Sequence, residues 1–276
     1  MMLTPRKSAH APVLPSGQIQ DKTPSEGSIL RFVFFALVAG SMTMLGFDLT
    51  NMMRAYNDAI DFERTGPVEM EPPKDKDQNR PYFPRAMPQA PGGRPPALPG
   101  LTNRPSPEQL AGRMTFTSDE DGNVSAIGRI EPGTASDFER YLAEQKNTKK
   151  VYLHSPGGSV SDAIAMARLI RKQNIATEVP NNAYCASSCP LLFSGGTERS
   201  AGKNVWIGVH QVYTLPGETG TIHEGLANAQ SISAHCQEHL VEMAVDPRAW
   251  IKAKKTEKHR LYVFTQDELR EYKLVT

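Results

Sequence analysis

Three short stretches of this 276-residue chain contain residue types that could carry out chemistry. The first is the turn SPGGS at residues 155–159, where Gly157 and Gly158 permit positive φ angles and let a ligand approach the backbone closely. The N–H groups of such a turn can face an oxyanion or a peptide carbonyl. Taken alone, the pattern predicts only a change of chain direction.

The second stretch, YCASSCP at residues 184–190, places Ser187 among small residues. Small residues fit a tight strand-to-helix corner that exposes a hydroxyl, and they also occur where helices cross. A serine hydroxyl becomes a useful nucleophile only when an adjacent base takes its proton. Ser187 is therefore a candidate nucleophile that requires a base from elsewhere in the chain.

The third stretch, GVHQ at residues 208–211, supplies a candidate base. His210 closes an apolar strand, and an imidazole in that position can serve as a general base. A single histidine at a strand end is more often a structural residue, so this motif alone does not identify His210 as a base.

Strands alternate with helices around these stretches, which predicts an α/β domain with a largely parallel sheet. The apolar runs predict strands at 114–116, 124–128, 151–154, 176–179 and 205–210. Helical periodicity predicts helices over 134–145, 159–173 and 232–243, with a further helix entered near residue 187. Thr265 and Glu268 form a capping-box pattern that predicts a short helix near the C-terminus.

Together, the three stretches resemble the Clp protease proteolytic subunit and its wider superfamily, which includes signal peptide peptidases and crotonases. That family has an SPGGS-type turn, a later small-small-Ser segment and a strand ending in His-Gln, in the order found here. The intervals, 29 residues from Gly158 to Ser187 and 23 from Ser187 to His210, are about what the fold requires. The resemblance covers residues 113–276 and is greatest to a membrane-anchored bacterial branch with a Cys-Ala-Ser-x-Cys variant.

The resemblance implies a Clp protease/crotonase-like domain of repeated β-β-α units. It implies Ser187 as nucleophile, His210 as base, and the N–H groups of Gly158 and Ser188 as the oxyanion hole. Gly157 and Gly158 with their flank would hold an extended peptide. The implied partners are a peptide or protein substrate and further copies of the chain in a homo-oligomer. Neither a metal nor any other cofactor is expected.

The sequence departs from the family pattern at the third member of the catalytic triad. The family has an aspartate shortly before the C-terminal segment, whereas this chain has KKTEKH at residues 254–259. Asp246 and Glu257 are the nearest carboxylates, and neither is a clear replacement. Two alternatives stay open: a Ser–Lys dyad using Lys252, Lys254 or Lys255, and a non-catalytic scaffold or peptide-binding pseudoenzyme.

The cysteines and the remaining histidines leave further alternatives. Cys185 and Cys189 flank Ser187 and could form a disulfide or remain two buried thiols. Cys236 is expected to be a small core residue. His235 and His239 have an i,i+4 spacing that can bind zinc, but the sequence offers no clear third ligand.

The N-terminal part predicts a membrane anchor followed by a spacer. Residues 1–28 are polar and read as a disordered cytoplasmic tail, residues 29–49 as a transmembrane helix in the lipid bilayer, and residues 50–111 as a stalk and Pro-rich linker before the domain at 112–276. A cleaved signal peptide is the alternative for the apolar run.

The charge pattern predicts where the domain lies. Arg6, Lys7 and Lys22 precede the apolar run, Arg31 lies at its start, and only two basic residues follow it closely. This favours a cytoplasmic N-terminus at a bacterial inner membrane and a periplasmic domain. Lys plus Arg number 31 against 30 for Asp plus Glu, so the chain lacks the basic excess of a nucleic-acid binder.

Overall fold

The computed structural model of the protein describes residues 26–61, 70–82, 93–101, 103, 105–145, 147–213 and 222–276. The chain divides into two compact units, Met1–Asp61 and Phe62–Thr276. The tail expected at residues 1–28 lies, except for its last three residues, outside the described residues.

The first unit contains one long helix, α1, at Glu26–Asp61. Within it, Gly27–Met53 is long and apolar enough to cross a membrane, with a mean hydropathy of 1.8 over its most apolar window and no part of that window buried by protein. At about 1.5 Å per residue, the 36 residues of α1 extend roughly 54 Å, more than the thickness of a bilayer core. The apolar helix is therefore compatible with a single-pass membrane anchor, and a signal sequence has the same properties.

The second unit is a mixed α/β structure with two sheets in its described part. Its helices are α2 Pro107–Ala111, α3 Thr134–Glu144, α4 Val160–Lys172, α5 Cys189–Phe193, α6 Ile222–Glu242, α7 Ala249–Lys255 and α8 Gln266–Glu271. Its strands are β1 Asn79–Pro81, β2 Thr115–Ser118, β3 Asn123–Ile127, β4 Lys150–His154, β5 Ala176–Val179, β6 Tyr184–Ala186, β7 Arg199–Ala201, β8 Trp206–Val209 and β9 Arg260–Val263.

The larger sheet has the strand order β2-β3-β4-β5-β7 in the described part of the chain. Strands β3, β4, β5 and β7 are parallel, and β2 adds as an antiparallel hairpin partner of β3. Helices α3 and α4 cross over between the parallel strands, as the alternating pattern predicts. Their buried side chains, including Phe138, Leu142, Met166 and Ile170, pack in one hydrophobic core with Val151 and Leu153 of β4.

The smaller sheet has the order β1-β9-β8-β6 among the described residues. Strands β6 and β8 are parallel, whereas β9 is antiparallel to both β8 and β1. A bridge between Ser155 and Cys185 joins the end of β4 in the larger sheet to β6 in the smaller one. The turn that follows β4 is thereby held against the chain that follows β6.

Most predicted elements are present, but strands β1, β6, β7 and β9 and helix α2 were not predicted. Strands β6 and β7 have only three residues each, too few for a period-2 pattern to be recognised. Helix α6 begins at Ile222, ten residues before the predicted start, because its first turns are largely exposed and carry no apolar stripe. The capping box of Thr265 and Glu268 is confirmed at the start of α8.

Parts of the Pro-rich segment pack on the domain, which differs from the plain spacer expected there. Met70 and Tyr82 are buried in a cluster with Tyr184 and Trp206, and Leu98 is buried beside Leu110 and Ile127. Proline favours extended backbone and is tolerated in edge strands, so a Pro-rich segment can still add a short strand. Strand β1 is such an edge strand and ends in a proline.

We expect the full-length protein to stay with the membrane fraction after an alkaline carbonate wash, because α1 presents an apolar surface over more than a bilayer thickness. Fractionation followed by N-terminal sequencing measures this. A soluble mature form that begins at about residues 40–50 would instead identify the run as a cleaved signal sequence.

Candidate active site

Ser187 lies in a tight turn between β6 and α5. Its φ angle is +62°, a left-handed conformation that costs a non-glycine residue about 1–2 kcal/mol. Its N–H donates to the carbonyl of Gly208 in β8 at 3.0 Å. The side chain is half-buried, so the turn brings a serine hydroxyl to a partly enclosed surface of the domain.

A disulfide joins Cys185 and Cys189 across this turn. The sequence left open a disulfide or two buried thiols, and the structure has the disulfide. The Cα atoms of the pair are 5.2 Å apart, and both residues are fully buried. The bond closes a five-residue loop around Ser187, and loop closure alone is worth about 2 kcal/mol. Cys236 is free and buried, and burial raises the pKa of its thiol to about 12, so it is a core residue rather than a reactive one.

The Pro-Gly-Gly turn lies directly against the Ser187 turn. A Cβ added to Gly157 would lie 2.4 Å from the carbonyl oxygen of Ala186 and 2.7 Å from the Cβ of Ser187. Gly157 has φ +87° and Gly158 has φ +145°, so both need glycine for conformation as well as for space. The sequence analysis named both glycines, and the structure brings them to the candidate nucleophile.

The two backbone groups expected to form an oxyanion hole also meet here. The N–H of Gly158 donates to Ser188 Oγ at 2.8 Å, and the N–H of Ser188 lies beside Gly157 at the start of α5. The Gly158 N–H is therefore engaged in this structure. It can donate to a substrate oxygen only when the Ser188 hydroxyl rotates away.

His210 reaches the same sheet end as Ser187 because β6 and β8 are parallel. Ala186 pairs with Gly208, so the residues that follow these two strands emerge side by side. The Nδ1 of His210 donates to the backbone carbonyl of Gln211 at 2.8 Å. The Nε2 atom is buried and has no hydrogen-bond partner among the described residues, so it presents an unprotonated lone pair.

Burial also determines the charge of His210. Its pKa is lowered to about 4 by desolvation, with a smaller opposing effect of the hydrogen bond to Gln211. The imidazole is therefore neutral near pH 7, the protonation state required of a general base. A pKa this far below neutrality also makes it a weaker base than an exposed histidine.

Tyr82 is the site residue that the sequence analysis missed. Its ring lies on the imidazole of His210, with the ring centroids 4.5 Å apart, and its hydroxyl donates to the carbonyl of Pro156 at 2.8 Å. Burial raises the pKa of the phenol, and the nearby Ser187 side chain opposes that shift. Tyr82 thus touches the candidate nucleophile, the candidate base and the Pro-Gly-Gly turn. No short motif around it could have shown this, because β1 carries it there from far along the chain.

A backbone carbonyl, and not a carboxylate, is the hydrogen-bond partner of the Nδ1 of His210. Asp246 is paired with Arg248, and Glu257 is paired with His259. The carbonyl of Gln211 accepts the Nδ1 proton of His210 instead. The N–H of Gln211 donates to the carbonyl of Thr256, and its side-chain amide donates to the carbonyl of Lys254. These two hydrogen bonds fix the residue whose carbonyl accepts the Nδ1 proton.

The contacts of Lys252 disfavour this lysine as the base of a Ser–Lys dyad. The Nζ of Lys252 donates to the Tyr262 hydroxyl at 2.8 Å and lies 3.2 Å from a Glu268 carboxylate oxygen. These two partners raise the pKa of Lys252 against the opposing effect of desolvation. A lysine held protonated in this way cannot accept the proton of a serine.

His154 and His239 have structural partners. The Nδ1 of His154 accepts from the N–H of Tyr184 at 3.0 Å, which ties β4 to β6. The Nε2 of His239 lies 3.1 Å from Ser194 Oγ and 3.0 Å from the carbonyl of Leu191, while His235 is exposed. Within the described ranges there is no group of three or more His, Cys, Asp or Glu side chains that could hold a metal.

We expect one alkylatable thiol per chain in the unfolded, non-reduced protein and three after reduction, because Cys185 and Cys189 are bonded and Cys236 is free. Intact mass after alkylation in denaturant counts them. Three adducts without reduction would contradict the disulfide.

The free energy of unfolding should fall as the pH decreases from about 6.5 to 4. Burial lowers the pKa values of His154 and His210 to about 4, whereas the unfolded chain protonates each near 6.5, so stability is complete above 6.5 and is lost below it. Each group can account for up to about 3 kcal/mol. Urea titration of a His154→Asn variant should show a shallower pH dependence than the wild type, with the exposed His235→Asn as matched control. An unchanged pH dependence in the His154 variant would contradict the assignment.

The sequence matches no protein-family model and no curated protein. Among solved structures, a serine-to-alanine mutant of the 1510-N membrane-bound stomatin-specific protease is similar to this chain at 20% identity and a TM-score of 0.42. The similarity covers 55% of this chain and 75% of that one. Similarity at this level shows neither a family nor a function for this chain.

Proposed function

We propose that the protein is a membrane-anchored serine peptidase that acts on peptides or proteins outside the cytoplasm through Ser187 and His210. The observation that carries this is the junction of β6 and β8. Ser187, with φ +62°, follows β6, and His210 follows the neighbouring parallel strand β8. His210 is neutral, and its Nε2 has no hydrogen-bond partner among the described residues. A strained serine at a strand-to-helix turn is the geometry of a nucleophile elbow.

In this proposal, His210 Nε2 takes the hydroxyl proton as Ser187 Oγ attacks a peptide carbonyl. The imidazolium then gives that proton to the leaving amine, and a water molecule activated in the same way releases the acyl group. The carbonyl of Gln211 keeps the Nδ1 proton in place, so Nε2 is the nitrogen that faces the reaction. A carbonyl stabilises the imidazolium less than a carboxylate does, and we expect a correspondingly slow enzyme.

The N–H groups of Gly158 and Ser188 would stabilise the oxyanion. Both lie at the contact between the Pro-Gly-Gly turn and the Ser187 turn, and the Ser188 hydroxyl now occupies the Gly158 donor. Removal of one such donor commonly costs 10²–10³ in rate. Displacement of the Ser188 hydroxyl by a substrate carbonyl is thus part of the proposed binding step.

The order of the elements supports a Clp protease/crotonase-like domain at about residues 112–276. After β5 and after β7 of the larger sheet, the chain adds a strand to the smaller sheet and then a helix, as β5-β6-α5 and β7-β8-α6. This is the strand-strand-helix repeat expected of that fold.

The proposed location rests on two independent features. The apolar helix α1 follows the more basic flank of the chain, which favours a cytoplasmic N-terminus. The Cys185–Cys189 disulfide suits an oxidising compartment such as the periplasm. Both features support the proposal that the second unit lies on the outer side of a bacterial inner membrane.

A non-catalytic, peptide-binding scaffold is the second candidate. It is favoured by the absence, among the described residues, of a carboxylate partner on His210 and of a hydrogen-bond partner on its Nε2. A fluorophosphonate probe separates the two candidates, because the probe reacts only with an activated serine.

We expect a fluorophosphonate to label the full-length protein at Ser187, as located by peptide mapping. Labelling should be lost in Ser187→Ala and reduced at least about a hundredfold in His210→Ala, since the base is removed. The exposed residues Ser231 and His235 offer matched controls, and their alanine variants should label like the wild type.

Equal labelling of the wild type and the His210 variant would contradict the Ser–His assignment. Absence of label both in the wild type and in a Tyr82→Ala variant, with the disulfide formed, would favour the scaffold.

A further inference from the structure

Residues 70–82, called here the docked segment, pass from the Pro-rich region across the mouth of the candidate site. Strand β1 of this segment pairs with β9 in antiparallel register, with Asn79 opposite Tyr262 and Pro81 opposite Arg260. Two further backbone bonds extend the pairing, from Tyr82 N–H to the His259 carbonyl and from Val263 N–H to the Gln78 carbonyl. The contact has the form of strand addition, in which an extended peptide joins a sheet edge.

Side chains fix the docked segment at both ends. Met70 is 2% exposed, and the neighbouring carbonyl of Glu71 accepts a hydrogen bond from the indole of Trp206 at 2.8 Å. Tyr82 is 6% exposed and is held by His210, Pro156 and Ser187. Backbone pairing with pockets for individual side chains is how strand addition combines affinity with selectivity.

The docked segment blocks the chemistry that the site would perform. Tyr82 lies against both Ser187 and His210, and its ring covers the imidazole whose Nε2 has no partner among the described residues. The group of the docked segment that lies near Ser187 is the Tyr82 phenol, which offers no peptide bond to attack. A substrate carbonyl cannot reach Ser187 through the volume that the phenol fills.

We propose that the edge of β9 and the pocket formed by His210, Pro156 and Ser187 bind an extended peptide with an aromatic side chain, and that the docked segment occupies this site as a tethered competitor. The proposal rests on the proposed function and adds its substrate class and its regulation. An entering polypeptide displaces residues 70–82, pairs with β9 and places its own aromatic residue where Tyr82 lies. Opening also returns solvent to His210, which brings its pKa closer to the ordinary histidine value and makes it a stronger base.

The first test is the rate of Ser187 labelling by a fluorophosphonate in the full-length protein. Tyr82→Ala should raise the rate about tenfold, the change that a 1.4 kcal/mol weakening of the closed state gives. Tyr82→Phe keeps the ring on His210 and loses the hydroxyl contacts, so a smaller rise of about threefold is expected. Met70→Ser loosens the far end of the docked segment without touching Ser187 or His210, and it should also raise the rate.

The matched control is Asp75→Ala, a change at an exposed residue of the docked segment that lies away from both of its buried ends. It should leave the rate within about twofold of the wild type. Unchanged or slower labelling in Tyr82→Phe and Met70→Ser would overturn the proposal, since the segment would then be a structural part of the site.

The second test measures binding and does not depend on catalysis. A fluorescent synthetic peptide of residues 70–82 is added to the full-length Met70→Ser, Tyr82→Ala double variant, whose own segment is weakened, and anisotropy is recorded. Saturable binding is expected, with at least about tenfold weaker binding of the same peptide carrying Tyr82→Ala. No binding, or equal binding of the two peptides, would overturn the proposal.

The two tests also separate this inference from the proposed function. Peptide binding without labelling in any variant would retain the peptide site and reject the serine peptidase. Strong wild-type labelling that no segment variant increases, together with no peptide binding, would retain the peptidase and reject the tethered competitor.

Discussion

The parallel pairing of β6 with β8 is the constraint on which the candidate site depends. It makes the chain after Ala186 and the chain after Gly208 emerge at the same sheet edge, which delivers Ser187 and His210 to one place. The Ser187 turn is then held from three sides, by Gly208 through a hydrogen bond, by Gly157 through close contact and by the Cys185–Cys189 disulfide. A left-handed serine persists only where the surroundings determine it in this way.

The same enclosure explains why His210 is neutral and weakly basic. The imidazole lies under Tyr82, with its Nδ1 proton on the carbonyl of Gln211 and no carboxylate beside it in the described part of the chain. In a triad, a carboxylate would offset the cost of forming a buried imidazolium. Here only the neutral carbonyl of Gln211 offsets that cost. The ring of Tyr82, which covers the imidazole, increases the cost of forming the imidazolium. In the proposed mechanism, the closed site therefore has low reactivity, and activity requires Tyr82 to leave.

The sequence predicted the parts of the site that are local in the chain. The Pro-Gly-Gly turn, the small-residue turn at Ser187 and the histidine at a strand end are visible as short patterns, and the α/β alternation places them on parallel strands. The disulfide remained open because spacing alone does not show whether two sulfur atoms meet. Strands of three residues, such as β6 and β7, fall below the length at which a periodic pattern can be seen.

The contribution of the Pro-rich region could not be read from the sequence for a different reason. Its composition indicates extended backbone, but composition does not reveal that an extended segment adds to an exposed sheet edge. Strand β9 follows a charged stretch and was not predicted. The sheet edge that β9 offers to β1 was therefore not predicted either. The position of Tyr82 depends on that long-range pairing, so this residue, which contacts His210 and Pro156, was absent from the predicted set.

The most direct test of the central claim is the pH dependence of the rate constant for phosphonylation of Ser187. If His210 activates Ser187, the rate rises sigmoidally with the deprotonation of His210. The midpoint then lies below about 6.5 because burial lowers that pKa, and a plateau is reached near neutrality. A rate that lacks this inflection and rises continuously into the alkaline range, with the same profile in a His210→Ala variant, would contradict the account.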